Sequence, residues 1–372
     1  MKYTHQVLLA VFLGAFILFG AIPAVSELTV SDAHLALVSV SQEEQHTEST
    51  KEDMAVVQRK VEDVAEEVVL QKDAYEQKKE EPTIVEEPQV SYPHPPLPFD
   101  AINLSTRAAI VNIFCTGALA PISASGVLID ERGIILTNAH VGQFFLLSED
   151  PRIRLSCEIR TGAPARATYT AELLAISPDW VTEHAQDITK AHPEGTGEHD
   201  WALLSITGRT DGQVLEKSFP SVPVDVRQGA VLLDDEVLLA AYPAGFVGGV
   251  TAQYALYPAS TVAVAQKLFT FSEGIVDLVS IGGVIVAQGG SSGGPMINHW
   301  GYLTGIITTS SSGESTEERD LRAVTTSHID TSMRSALGYG LPELIAGNPR
   351  EYAEAFRKNR APTLADLLVG SL

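Results

Sequence analysis

The stretch GGSSGGPM at residues 289–296 decides between the folds that this sequence allows. Two serines stand between pairs of glycines, and a proline follows them. Glycine adopts positive φ angles and lets other groups approach the backbone closely, so such a run is typical of a tight contact loop. It is either a flexible Gly/Ser turn or a nucleophile loop that presents Ser292. Residues 290–294 also satisfy the pattern G-x-S-x-G, which presents a nucleophilic serine in a different fold. The rest of the chain has to decide which of these interpretations is correct.

Composition limits the class of protein. The chain has 372 residues, of which 45% are hydrophobic, enough for one large domain or two ordinary domains plus tails. Its formal net charge of −22 argues against a nucleic-acid partner, whose phosphates it would repel. Residues 27–100 contain 18 acidic and 6 basic side chains. Such a segment is typical of a solvated linker.

The N-terminus contains an apolar run from Val7 to Val25 after a short cationic start. Residues 1–26 are therefore either a cleaved signal peptide or an N-terminal membrane anchor, and both alternatives stay open. Each predicts export to the cell envelope or the extracellular space. Cys115 and Cys157 fit an oxidising compartment, either as one disulfide or as two separate small core residues. No Cys/His cluster suggests a metal site, and we expect no cofactor.

The acidic linker has two parts with their own patterns. Over residues 54–75 apolar side chains recur in steps of three and four, which predicts either a short coiled coil that joins copies of the chain or a lone helix. Residues 82–98 are rich in proline and predict an extended spacer.

From residue 101 the sequence becomes a series of short β-rich runs separated by glycine turns. These runs predict an all-β barrel or sandwich over residues 101–335. The letters ERG at 131–133 predict a hairpin turn. Proline and glycine signals after His328 predict a short helical tail over residues 336–372. The runs are RAAIVNIFC, SASGVLIDERGIILTNA, DWALLSITG, DEVLLAAYP, LVSIGGVIVA and YLTGIITTS.

A serine becomes nucleophilic only when a base removes its proton, and that base needs an acid to orient it. GIILTNAHV places His140 at the end of a predicted strand, and HDWALLSI places Asp200 directly before another. A buried carboxylate at a strand start needs a partner, which a histidine N–H would supply. The rival acids Asp179 and Asp187 precede no strand pattern.

The segments SGVLIDERGIILTNAHV, HDWALLSI and GGSSGGPMINHWGYLTGIITT resemble the three signature blocks of the chymotrypsin-fold serine proteases. They are most similar to the bacterial HtrA (Deg) type, and the resemblance covers about residues 105–332. It implies two six-stranded antiparallel β-barrels. It also implies that His140 is the general base, Asp200 orients it, Ser292 is the nucleophile, and the N–H groups of Gly290 and Ser292 form the oxyanion hole.

The order of the candidate residues along the chain distinguishes this interpretation from an α/β-hydrolase, in which the pattern G-x-S-x-G forms the turn that carries the nucleophile. In α/β-hydrolases the serine precedes the acid and the histidine, whereas His140, Asp200 and Ser292 follow the chymotrypsin order. The nucleophile of the family stands directly before Gly-Gly-Pro, which favours Ser292 over Ser291. Ser291 occupies the position of the aspartate that digestive proteases use for activation, so no such ion pair is expected. We expect no PDZ domain after the barrel, and a long surface insertion over residues 178–197.

The specificity pocket follows from the resemblance alone. Its floor is expected at Val286 and Ala287, and its wall at Thr308, Thr309 and Ser310. None of these is a carboxylate that would attract Lys or Arg. We therefore expect cleavage after small or medium apolar residues.

The sequence as a whole predicts an exported serine endopeptidase that acts on envelope or external polypeptides. Two alternatives remain open. One is a catalytically silent scaffold with the protease fold, and the other is an envelope interaction protein that oligomerises through residues 54–75.

Overall fold

The computed structural model describes residues 90–190, 195–245, 249–271, 275–310 and 320–372. The predicted signal or anchor segment, the heptad segment 54–75 and most of the proline-rich spacer lie outside these residues. Within the described ranges, no helix combines the length and apolar character that crossing a membrane requires.

The first half of the described fold is a closed barrel of six antiparallel strands. The strands are Ile110–Gly117 (β1), Ile122–Asp130 (β2), Ile134–Thr137 (β3), Leu155–Thr161 (β4), Arg166–Ile176 (β5) and Ala202–Arg209 (β6). They are hydrogen-bonded in the order β1-β2-β3-β6-β5-β4. The pairing of β1 with β4 closes the barrel.

The second half is a curled sheet of seven antiparallel strands. The strands are Glu236–Ala241 (β7), Ala259–Val264 (β8), Lys267–Phe269 (β9), Leu278–Gly282 (β10), Pro295–Ile297 (β11), Leu303–Ser310 (β12) and Leu321–Thr325 (β13). Their order is β8-β7-β11-β12-β13-β10-β9. The two antiparallel halves confirm the predicted all-β, chymotrypsin-like class. The second half has one strand more than predicted and curls as half a barrel.

The hairpin between β2 and β3 leads the chain toward His140. Val127 lies opposite Leu136 in this antiparallel pair. Gly133 ends the turn with φ +88°, a conformation that side chains disfavour. The turn predicted at residues 131–133 is therefore confirmed.

Cys115 and Cys157 form a disulfide between β1 and β4. The two residues lie directly opposite each other in the register of this strand pair. The covalent link therefore lies at the seam where the barrel closes.

Eight α-helices and one short 3₁₀ helix, Ala185–Asp187, complete the described part of the chain. The α-helices are Phe99–Ala109 (α1), Ala139–Ser148 (α2), Pro178–His184 (α3), Gly249–Tyr254 (α4), Thr326–Leu337 (α5), Leu341–Ala346 (α6), Pro349–Asn359 (α7) and Ala361–Gly370 (α8).

The predicted C-terminal helices are present, and α7 and α8 pack against the first barrel and its helices. α7 lies against β5, and α8 lies against α2 and α3. Phe356, Leu364 and Leu368 are buried in the same hydrophobic cluster as the barrel strands. The sequence showed that this region is helical, but the helix boundaries alone did not reveal that its apolar side chains complete the barrel core.

The segment 178–197 begins as a buried helix, where the sequence suggested a surface insertion. Ser177 caps α3 by accepting a hydrogen bond from Trp180 N at 3.2 Å. Trp180 and Val181 are buried beneath the C-terminal helices. α3 can be buried because its apolar side chains pack against α8, a partner far along the chain.

The described end of the spacer lies on the second sheet. Tyr92 stacks on Trp300 with ring centres 4.4 Å apart, and its hydroxyl donates to Asp225 Oδ2 at 2.8 Å. Leu97 N donates to His299 O at 2.8 Å. Residues 90–98 are thus held on the second sheet by specific contacts, which the prediction of an extended spacer did not include.

Candidate active site

The loop between β10 and β11 carries the two serines. Ser292 is half-buried, whereas Ser291 is only 1% exposed. Ser291 Oγ has no hydrogen-bond partner among the described residues. Of the two serines, Ser292 is therefore the one whose side chain solvent can reach.

Ser125, in the middle of β2, holds this loop in place. Its N–H donates to Ser292 O at 2.8 Å. Its hydroxyl donates to Gly290 O at 2.8 Å and accepts from Tyr242 N at the same distance. The first barrel thereby fixes the backbone on both sides of Ser291. Sequence reasoning gave Ser125 no role, because a serine inside a strand shows no local pattern.

Two glycines of the loop are required by their surroundings. Gly290 has φ +92°, and a Cβ there would lie 2.7 Å from Tyr242 O. Gly293 has φ +84°, and a Cβ there would lie 2.1 Å from Ser125 O and 2.4 Å from Thr137 Oγ1. The loop therefore lies against the end of β3, three residues before His140.

The N–H groups of Gly290 and Ser292 are among those in this loop that donate to no acceptor within the described ranges. Gly289 O accepts from Ala244 N at 2.7 Å, and in a trans peptide the following N–H points the opposite way. Within the described ranges, neither Gly290 N nor Ser292 N donates to a protein acceptor. Both donors remain available for a ligand oxygen.

His140 and Asp200 meet directly. His140 Nδ1 lies 2.9 Å from Asp200 Oδ2, and His140 N donates to Asp200 Oδ1 at 3.0 Å. His140 is the second residue of α2, so the carboxylate also lies at the positive end of the helix dipole. In the part of the chain that the structure describes, no hydrogen bond joins Ser292 Oγ to His140.

Two further residues secure Asp200. Thr308 Oγ1 donates to Asp200 Oδ2 at 2.6 Å, and Asn138 Nδ2 donates to Asp200 O at 3.1 Å. The carboxylate thus accepts from His140 N, the His140 ring and Thr308. Three donors fix its orientation and leave it little freedom to rotate.

The pair stabilises its own charges. Burial lowers the pKa of His140, but the charge and the hydrogen bond of Asp200 outweigh burial and raise that pKa above 6.5. Burial raises the pKa of Asp200, but His140 and the Thr308 hydroxyl outweigh it and hold that pKa below 3.8. Asp200 therefore stays ionised at neutral pH. Because His140 Nδ1 contacts the Asp200 carboxylate, the other ring nitrogen of His140, Nε2, points away from it.

The pair can form because α2 approaches β6 closely. Gly142 lies two residues after His140, and Ala202 lies two residues after Asp200. A Cβ on Gly142 would lie 2.3 Å from Ala202 Cβ. The glycine therefore lets the helix with His140 rest on the strand that Asp200 precedes.

We expect Gly142→Ala to separate these two elements. Overpacking of a core typically costs about 1–3 kcal/mol, and a displacement of about 1 Å at a catalytic group can reduce a rate about 10²-fold. Both the melting temperature and any enzymatic rate that depends on the His140–Asp200 pair should fall. Gly370→Ala is the matched control, because nothing lies within 4 Å of its added Cβ. Equal activity and stability in both variants would contradict the argument.

The five residues expected to form the pocket do not share one environment. Val286 and Ala287 are fully buried in the cluster beneath the second sheet. The Thr308 side chain is bonded to Asp200. The side chains of Thr309 and Ser310 lie outside the described part. The role of Thr308 as a support for Asp200 was missed from the sequence, since no short-range signal links positions 108 residues apart.

A search of curated proteins finds no significant match. Among solved structures, the serine endoprotease from Yersinia pestis is 19% identical with a TM-score of 0.42, and the alignment covers 66% of this chain and 68% of that one. An HtrA-type protease, AlgW, with a tripeptide is 17% identical with a TM-score of 0.43. That alignment covers 65% of each chain, so the chain spans less than two thirds of AlgW.

The decisive comparison is with protein families. Residues 124–306 match the family model of the trypsin-like peptidase domain. The matched region begins in β2 and ends in β12, so it includes the segments with His140, Asp200 and Ser292. This match agrees with the two antiparallel halves of the fold, and it identifies residues 124–306 as a trypsin-like peptidase domain, so the protein carries the fold of a serine protease.

Proposed function

We propose that this serine protease is an exported endopeptidase with Ser292 as nucleophile, His140 as general base and Asp200 as the residue that orients the base. The observation that carries the proposal is the Asp200 carboxylate, which is buried and accepts from the His140 ring, the His140 backbone and Thr308. A carboxylate in this environment fixes one tautomer of the histidine and stabilises its positive charge when it takes a proton.

The proposal gives each of these groups a step in the reaction. Ser292 Oγ attacks the carbonyl carbon of the peptide bond, and His140 Nε2 takes the hydroxyl proton. The oxygen that becomes negative is stabilised by the N–H groups of Gly290 and Ser292. His140 then donates its proton to the leaving amine, and a water molecule, deprotonated by His140, hydrolyses the acyl-enzyme. His140 is 27% exposed, so a substrate and a water molecule can reach it.

Two finer points belong to the same proposal. Export is supported by the Cys115–Cys157 disulfide, because such bonds persist in oxidising compartments. From the family resemblance alone, we also propose cleavage after small or medium apolar residues in polypeptides of the envelope or outside the cell.

The full chain should cleave an unfolded protein such as reduced casein and produce new α-amino groups. It should also react covalently with a fluorophosphonate probe, which labels only an activated serine. A folded chain that neither cleaves nor labels would contradict the proposal and would favour the silent scaffold.

Activity should depend on the protonation of His140. The base accepts a proton only when neutral, so kcat/KM should be highest above the His140 pKa and fall as the pH drops through it. Because Asp200 raises this pKa, the midpoint of the acid limb should lie above pH 6.5. Thr308→Val removes one donor to Asp200 and leaves the His140–Asp200 contact in place, so its midpoint should stay above 6.5. A midpoint in the range of a free carboxylate, near pH 4, would identify a different base.

A further inference from the structure

The residues on either side of Asp200 form a tight turn. Trp201 N donates to His199 O at 2.9 Å, which folds the backbone around Asp200. His199 has φ +57°, a conformation that is uncommon for residues with a side chain and persists only where neighbours hold it. Contacts to the flanking side chains therefore decide the direction of the Asp200 carboxylate.

One hydroxyl contacts both flanking side chains. Ser332 Oγ lies 2.8 Å from His199 Nδ1 and accepts from Trp201 Nε1 at 2.8 Å. Ser332 lies on α5, more than 130 positions further along the chain. It reaches the residue before Asp200 and the residue after it, without touching Asp200 itself.

The donors and acceptors of this contact balance. The indole N–H of Trp201 can only donate, so Ser332 Oγ accepts that bond. The single hydroxyl hydrogen is then free to point at His199 Nδ1, which accepts it in the tautomer that carries the ring hydrogen on Nε2. Ser332 and Trp201 are both buried, so each of these bonds would leave an unpaired polar group if its partner were lost.

The other side of His199 is also held. Its ring stacks on His328 with centres 5.7 Å apart, and His328 Nδ1 lies 3.0 Å from Asp277 Oδ1. Both Ser332 and His328 belong to α5, whose first turn is capped by the Thr325 hydroxyl. A single helix thus supports the turn through two of its side chains.

We propose that Ser332 is a positioning residue, which holds the carboxylate of Asp200 toward His140 by clamping His199 and Trp201. The inference rests on the proposed role of Asp200. It predicts that loss of the hydroxyl disturbs proton transfer and leaves substrate binding intact.

The test compares four variants of the full chain. Ser332→Ala removes the clamp, and Ser332→Thr restores a hydroxyl at the same place. Thr331→Ala is the matched control on α5, since its hydroxyl donates only to Ser327 O in the same helix. The double variant Ser332→Ala/Trp201→Phe leaves no unpaired indole N–H, so it separates lost stability from lost positioning.

We expect Ser332→Ala to lower kcat about 10²-fold with little change in KM, as a misplaced catalytic group would. The midpoint of its acid limb should move to lower pH, because a misdirected Asp200 supports the charge of His140 less. Ser332→Thr should restore both values. The double variant removes the unpaired indole N–H, and its kcat should nevertheless stay as low as that of Ser332→Ala.

Two results would overturn the inference. If Ser332→Ala keeps the wild-type kcat and acid limb while Asp200→Asn loses activity, the clamp has no positioning role and the proposed function stands. Recovery of kcat in the double variant would show that Ser332 serves only to pair the indole N–H. If Asp200→Asn itself keeps full activity, the proposed function fails together with this inference.

Discussion

Ser292→Ala should reduce peptide hydrolysis by about 10⁶-fold, as loss of the nucleophile does in another serine protease. The methyl group that remains has no lone pair with which to attack a carbonyl carbon. Covalent labelling with a fluorophosphonate should disappear as well. The measurements are the rate of labelling and kcat/KM for a peptide, with circular dichroism to verify that the variant is folded.

Ser291→Ala is the matched control for this experiment. The two serines are adjacent in one loop, but Ser291 Oγ is buried and lacks a partner among the described residues. Its removal therefore breaks no hydrogen bond there, and labelling should remain close to that of the unmodified chain. The reverse outcome, with labelling lost only in Ser291→Ala, would show that Ser291 is the nucleophile and that the assignment of Ser292 is wrong.

Asp200→Asn is expected to lower kcat by about 10⁴-fold, the loss that this substitution causes in a Ser-His-Asp triad. The amide has a similar size, so the fold should persist. Its NH₂ group, however, cannot accept a hydrogen bond from the His140 ring, and the imidazole would be held in the wrong tautomer. The loss of the negative charge should also shift the acid limb to lower pH, since that charge raises the pKa of His140.

Asp187→Asn provides the comparison for the second experiment. Asp187 lies in the same stretch of sequence, forms an ion pair with Lys190 at 2.6 Å and has its Oδ2 atom 3.3 Å from His184 Nδ1. It is one of the alternatives to Asp200 in the sequence, but its partners lie within its own segment and do not include His140. The variant should retain kcat, and an equal loss in both aspartate variants would exclude a specific role for Asp200.

The features that the sequence predicts well are those with short-range signals. The hairpin before His140 depends on Gly133 and on the β-rich residues next to it, all within one stretch. The glycines at 290 and 293 belong to a short Gly/Ser run that is visible in the sequence. The structure explains them, because a Cβ at either position would lie too close to neighbouring backbone atoms. The candidate triad could be proposed because each of its members lies in a recognisable block.

Other features depend on partners that no local pattern reveals. Ser125 and Gly290 are 165 positions apart, and either would look ordinary by itself. The apolar residues of α7 and α8 predict helices with one buried face, but the surface that covers this face is fixed only by the packing of the whole chain. For the same reason the buried start of segment 178–197 was interpreted as a surface loop.

The packing of α8 on α2 has a consequence for the order of events during synthesis. α8 leaves the ribosome after every residue of the candidate triad, and α2, whose first turn carries His140, lacks one of its apolar neighbours until then. Domains fold as units during synthesis. The nascent chain therefore carries Ser292 before α2, the helix with His140, has all of its apolar neighbours, and we expect the proposed site to become active only after α8 has packed on α2.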